Sequence, residues 1–255
     1  MNYTDQELEE AKAFLRDRLR NEKSMTYDVE KLLAIYAAYL LTALFNDASD
    51  EDIELLIQDL IDQILEDCKT LAVDEHDRSN VILPYMLGER NGDTLEGRIN
   101  TRCHTFFNEV FAVYTAGKLL NIGYQPLLKS IRDNIRHPWQ NEVLVDVRER
   151  QRRGEISAEY EFDEPHFGQG VAISSFTPLD TMSRYAVADA WMEWGWLDAV
   201  ERGARGYFVE RGSSYPCDEC DSHTGIFYPI TDEDSKPQYH ANCCCIVIYS
   251  YVDRL

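Results

Sequence analysis

Residues 215–249 read YPCDECDSHTGIFYPITDEDSKPQYHANCCCIVIY, a stretch holding five of the chain's seven cysteines and two of its six histidines. Cys217 and Cys220 are separated by two residues, and so are His240 and Cys243. That gap lets one tight turn present both side chains of a pair to the same ion, and zinc wants four such thiolate or imidazole donors in a tetrahedron. The intervening IFYPITDEDSKP has the length of a strand and a turn, enough to return the second pair beside the first. Arg205 to Arg211 (RGYFVER), Ile226 to Ile230 and Cys244 to Tyr251 (CCIVIYSY) are rich in β-branched and aromatic residues and read as three strands. The prediction is a small β unit stapled by a closed site of three cysteines and one histidine.

The triple Cys243-Cys244-Cys245 leaves the fourth ligand open. If the chain is extended there, Cys243 and Cys245 point to one side and Cys244 to the other. Either Cys243 or Cys245 then completes the site, and Cys244 is the poorest candidate. His223 is close enough in sequence to substitute for a ligand or to support one.

Working back from this tail, the chain reads as helices. Thr4 with Glu7 forms a capping box before ELEEAKAFLRDRLR, and Ser49 precedes Asp50, Glu51 and Asp52 at a second start. Between them an apolar helix is expected from Thr26 to Asn46. Ile53, Leu56, Ile57, Leu60, Ile61, Ile64, Leu65 and Cys68 recur at three and four residues, which draws one apolar stripe along a helix whose other face is acidic. Further helices are expected from Leu95 to Ile122, ended by Gly123, from Gln125 to Arg136, and from Leu179 to about Glu201. Cys68 and Cys103 lie among apolar helical residues and read as small buried hydrophobes. The tryptophans of AVADAWMEWGWLDAV read as core packing.

Between Asn141 and Phe176 the composition shifts to RERQRRGE, EYEFDEP and HFGQGVAISSF. Alternating apolar residues and glycines there suggest short strands and an exposed loop. The expected fold class is therefore α+β. A predominantly α-helical body (1–140) is followed by an irregular or β insertion with a basic segment (141–177), then by a helix and the zinc-binding β module (178–255).

The composition supplies a core, with 44% hydrophobic residues over 255 positions. The formal net charge is -21, so the average surface repels a duplex nucleic acid and any DNA contact must be local. The one strongly basic zone holds Lys129, Arg132, Arg136, Arg148, Arg150, Arg152 and Arg153. It is a candidate for phosphate contacts, against the plainer reading of a solvated loop or salt-bridge partners for the acidic helices. The start MNYTDQELEEAK has neither the basic end nor the apolar stretch of a secretory signal, so a cytosolic location is expected. The near-apolar run Leu32 to Phe45 is shorter than the roughly 20 residues that cross a bilayer. In a reducing compartment, clustered cysteines point to metal ligands or redox groups rather than to structural disulfides.

The tail resembles the end of the phage Mu F-like minor head proteins, also called phage head morphogenesis proteins. That module has a strand, a C-x-x-C pair, a glycine a few residues on, and a closing H-P-x-C-R-C. Here YFVERGSSYPCDECDSHTG and YHANCCC place Cys217, Cys220, Gly225, His240, Cys243 and Cys245 on the matching positions. Ala241 and Cys244 replace the proline and arginine of the closing motif. Upstream, Arg184 matches an Ala-Arg-Thr-Glu-like motif, but the acid that follows it is missing. The resemblance spans about residues 180 to 249. It implies a noncatalytic structural protein present in few copies per phage head and associated with the portal ring, other head proteins and the path of packaged DNA. It also implies a structural zinc ion, assembly in the host cytoplasm and a final place in the virion head. Neither a membrane nor a small-molecule substrate is implied.

Enzyme readings have less support. Pro216-Cys217-x-x-Cys220 matches half of the nucleobase deaminase signature, but no histidine is followed two residues later by the glutamate that moves protons. A phosphate-binding G-x-x-x-x-G-K-[ST] loop and an H-E-x-x-H helix are both missing. A zinc-containing nuclease with His223 or His240 as the base (His223 alone if His240 binds metal), or a protein-interaction module outside any phage, stand as the alternatives.

Overall fold

The structure is a computed structural model that describes residues 3–73, 79–90, 92–157 and 174–252. Eight α-helices and three strands are described, α1 (Asp5–Phe45), α2 (Asp50–Ala72), α3 (Ser79–Leu87), α4 (Leu95–Leu119), α5 (Tyr124–Asp133), α6 (Glu142–Arg152), α7 (Phe176–Glu201), β1 (Gly206–Glu210), α8 (Asp218–Asp221), β2 (Phe227–Pro229) and β3 (Ile246–Ser250). A helical body with a small C-terminal sheet is thus what forms.

The expected break between two N-terminal helices does not occur, and α1 runs unbroken for 41 residues. Nothing in it stops a helix, because the segment contains neither glycine nor proline. Its start is the capping box read from the sequence. The Glu7 carboxylate accepts from the Thr4 N–H at 2.6 Å, and the Thr4 hydroxyl accepts from the Glu7 N–H at 3.2 Å. Ser49 and Asp52 repeat the arrangement ahead of α2. Residues in the left-handed region end α1 and α4, Asp47 at φ 49° and Asn121 at φ 55°. In each case the next N–H reaches a carbonyl five residues back, Ala48 to Ala43 and Ile122 to Gly117. The stop after α4 is therefore Asn121 and not Gly123, whose φ is an ordinary -77°.

A second expectation fails at 141–152, where the sequence suggested strands and the chain forms α6. The Asn141 side chain caps it, accepting from the Val143 and Leu144 N–H groups at 3.0 and 3.4 Å. Val143, Leu144 and Val147 form the buried stripe of this single turn-and-a-half contact face. The helical spacing was present, but the run of arginines beyond it hid the period. The strands expected farther on, in EYEFDEP and HFGQGVAISSF, lie outside the described residues.

The chain divides into two compact units, and the division passes through helices. One unit comprises 1–25, 68–88 and 181–255, and the other comprises 26–67 and 89–180. The second unit is all helical among the described residues. Its core is built by the α2 stripe (Ile57, Leu60, Ile61, Ile64) and by Ile99, Phe106 and Val110 of α4. Within it Glu109 is buried, and its carboxylate accepts from the Ser175 N–H at 2.8 Å and the Ser175 hydroxyl at 2.7 Å, just ahead of α7.

The first unit carries the sheet, in the order β2-β1-β3, with both pairings antiparallel. Strand alternation sorts its side chains into two cores. Tyr207 and Val209 join Trp196, Cys220, Cys243 and Cys245 on one face. Phe208, Ile246 and Ile248 join Leu15 of α1 on the other. Trp191 and Trp196 are buried, as expected of core residues. Cys68 and Cys103 are also buried, and burial pushes the Cys103 thiol up to about 12. No described helix is long and apolar enough to cross a membrane.

Candidate metal centre

Two short turns bring the donors together in the sheet-bearing unit. Beyond β1 the chain passes Gly212, where a Cβ would lie 1.9 Å from the Cys244 carbonyl oxygen, so only glycine permits this approach. It then enters the single turn α8, with Cys217 in extended conformation at its start and Cys220 inside it. The second turn, between β2 and β3, is closed by the Cys243 N–H donating to the His240 carbonyl at 3.1 Å. It uses two non-glycine residues in left-handed conformation, Gln238 at φ 97° and Asn242 at φ 67°. Such residues cost about 1–3 kcal/mol each and persist where their surroundings fix them.

Among the described residues the donor atoms gather in two overlapping groups, Cys217–Cys220–His240 and Cys220–Cys243–Cys245, with atoms in each group within 4.8 Å of one another. His240 Nε2 lies 3.2 Å from Cys217 Sγ and 3.1 Å from Cys220 Sγ, and Cys220 Sγ lies 3.9 Å from Cys243 Sγ. Around a tetrahedral zinc, ligand bond lengths give edges of about 3.8 Å for two sulfurs and about 3.6 Å for sulfur and nitrogen. The sulfur pair fits directly, and the imidazole needs to retreat by a few tenths of an ångström. His240 Nδ1 lies 2.7 Å from the Ala241 carbonyl, which can only accept. The ring proton therefore sits on Nδ1, and the Nε2 lone pair faces the thiols. The cluster can hold a metal ion. Cys243 and Cys245 both reach Cys220 on the buried side, whereas Cys244 is half-buried, with its sulfur against the Asn242 carbonyl at 3.4 Å. The alternation read from the sequence holds.

These thiols do not share charge evenly. A hydrogen bond from the Cys245 thiol, helped by backbone N–H groups of Cys245, Gln238 and Tyr239, draws Cys243 down to about 4. Donating that bond pushes Cys245 strongly up. Burial raises Cys220 to about 12, while N–H and thiol contacts from Cys220 lower Cys217. The bond to Ala241 raises His240. The turn that carries Cys243 thus already accommodates a thiolate, the form a metal requires.

Sequence reasoning missed a charged group beneath this turn. Arg18 of α1 is completely buried, and it donates to the Cys243 carbonyl at 2.6 Å and to the Gln238 side chain at 3.3 Å. Buried Glu22, one turn on, pairs with it at 3.2 Å. Arg184 of α7 donates to the Asn242 side chain at 2.5 Å. Burial raises the Glu22 carboxyl, and Arg18 and Arg184 both pull it back. A signal existed, since Leu15, Arg18, Glu22, Met25 and Val29 fall on one helix face and two of the five are charged.

His223 does not join the donors. Its ring stacks on Tyr239 at 4.1 Å, and Nδ1 lies 2.9 Å from the Tyr228 hydroxyl. The candidate phosphate contacts lie in the helical unit, on and around α5 and α6. Four are paired with carboxylates: Lys129 with Asp133, Arg136 with Glu30 at 2.7 Å, Arg150 with Asp146 at 3.0 Å and Arg153 with Glu155 at 2.8 Å. Arg132 donates to the Ala34 carbonyl at 3.0 Å. Arg148 and Arg152 are on α6.

No protein-family model, curated protein or solved structure matches the chain.

Proposed function

We propose that this chain is a noncatalytic minor head protein of a tailed phage or prophage, with zinc as a structural ion in its C-terminal sheet. The observation that carries the reading is the convergence of Cys217, Cys220, His240, Cys243 and Cys245 on one face of a three-stranded sheet. These are the same positions on which the tail resembles the head morphogenesis proteins. Thiolate and imidazole donors select zinc over hard cations, and four protein ligands leave no open position for a reacting water. A structural zinc supplies ~10 kcal/mol or more of apparent binding energy, which suits a unit with five-residue and three-residue strands. On this reading Cys217, Cys220 and His240 bind with either Cys243 or Cys245. The portal and other head proteins are the partners, and the chain moves from the host cytoplasm into the virion head. Packaged DNA would be met by the α5–α6 arginines, at the cost of exchanging their present carboxylate partners for phosphates.

Quantitative mass spectrometry of purified particles from the source phage or induced prophage tests this. A few copies per particle, scaling with the portal protein, support the role. Absence from heads and from assembly intermediates refutes it and leaves the metal centre standing.

A further inference from the structure

Arginine is always charged in a protein, so a buried guanidinium needs a reason to be there. Arg18 is fully buried, and its shorter hydrogen bond is to the main chain of a metal-ligand candidate. Glu22 alone does not account for it, because Glu22 also interacts with Arg184. Arg18 and Arg184 bring two guanidiniums to the turn that carries Cys243. The site above has the opposite sign, since three thiolates and a neutral imidazole around a divalent ion sum to one negative charge.

We infer that Arg18 and Arg184 form the counter-charge and the clamp of the metal centre, with Glu22 paired to Arg18. Arg18 and Arg184 hold the Gln238–Cys243 turn from two different helices, α1 and α7. They fix its left-handed residues, aim the Cys243 sulfur at Cys220, and offset the charge of the thiolate site. Metal affinity is thereby tied to a helix more than two hundred positions away in sequence. This inference rests on the metal reading, and it makes Arg18 a positioning residue rather than a ligand. Supporting groups around a metal site typically change affinity by about 10- to 100-fold when removed.

The test uses the full chain and zinc alone. Zinc affinity is measured by competition with a chelator of known strength, together with the pH midpoint at which zinc is released. Arg18→Met removes charge and hydrogen bonds while keeping a long side chain, and Arg18→Lys keeps the charge without the fork. Arg184→Gln, at a half-buried position, serves if the Arg18 variants fail to fold. The expected result is a loss of about tenfold or more in zinc affinity for Arg18→Met. Its release midpoint should move to higher pH, because thiols without the counter-charge hold protons more tightly. Arg18→Lys should restore the midpoint more than the affinity, and Arg184→Gln should change both in the same direction as Arg18→Met. A folded variant with wild-type zinc affinity and release midpoint overturns the inference. A wild-type chain that binds no zinc overturns the metal reading instead, and the inference with it.

Discussion

Glu109 makes a sharp test of the helical unit because its burial has a calculable consequence. Burial raises its carboxyl from an ordinary 4.5 to about 7, and the two hydrogen bonds from Ser175 only partly offset this. The folded state therefore keeps a proton over a pH window in which the unfolded state has lost it. The contribution is greatest below about 4.5 and is lost as pH rises toward about 7. A shift of that size corresponds to about 3 kcal/mol at pH above 7. Glu109→Gln should remove the loss without removing the contacts, because the amide oxygen accepts from the Ser175 N–H and the Ser175 hydroxyl rotates to accept from the amide. Urea unfolding of both proteins between about pH 5 and pH 8 gives the difference directly and cancels the many other carboxylates. The variant should gain on the wild type as pH rises, by up to about 3 kcal/mol at the alkaline end. Parallel stability curves for the two proteins would refute the assignment of Glu109 as a buried, destabilised carboxylate.

Other outcomes follow from single contacts. Gly212→Ala should cost about 1–3 kcal/mol and weaken zinc retention, since its Cβ would collide with the Cys244 carbonyl; chelator competition and thermal unfolding measure the two effects. Asn141→Ala should cost about 1–2 kcal/mol in urea unfolding, because it leaves the first N–H groups of α6 without their buried acceptor. Tyr36→Phe should cost about 0.5–1.5 kcal/mol by removing a part-buried hydroxyl that donates to the exposed Asp59 carboxylate, and an unchanged unfolding midpoint would contradict that bond. Zinc removal by a chelator should loosen the three-stranded sheet while leaving α4–α6 protected, as read by hydrogen exchange.

The elements that could be read from sequence were those whose signals are local. The Thr4–Glu7 box, the α2 stripe and the two turns of the metal cluster each lie within a few residues. The three strands sit where β-branched and aromatic residues concentrate. Local reasoning failed where a signal was weak or distant. The residues between ELEEAKAFLRDRLR and Thr26 contain nothing that breaks a helix, so α1 passes through the expected gap. Val143, Leu144 and Val147 are too few to show a period beside a run of arginines. Arg18 and Glu22 look like an ordinary surface pair one turn apart, and their role depends on a turn that sequence places at the other end of the chain. The division into units is equally nonlocal, because α1, α2 and α7 each contribute to both.

Elemental analysis of the purified 255-residue chain bears most directly on the central claim that Cys217, Cys220, His240 and either Cys243 or Cys245 hold a structural zinc. The account predicts about one zinc per chain after gentle purification, and loss of that zinc with Cys220→Ser, the residue common to both donor groups. A folded wild-type preparation with no bound metal, and no uptake when zinc is supplied, would contradict it.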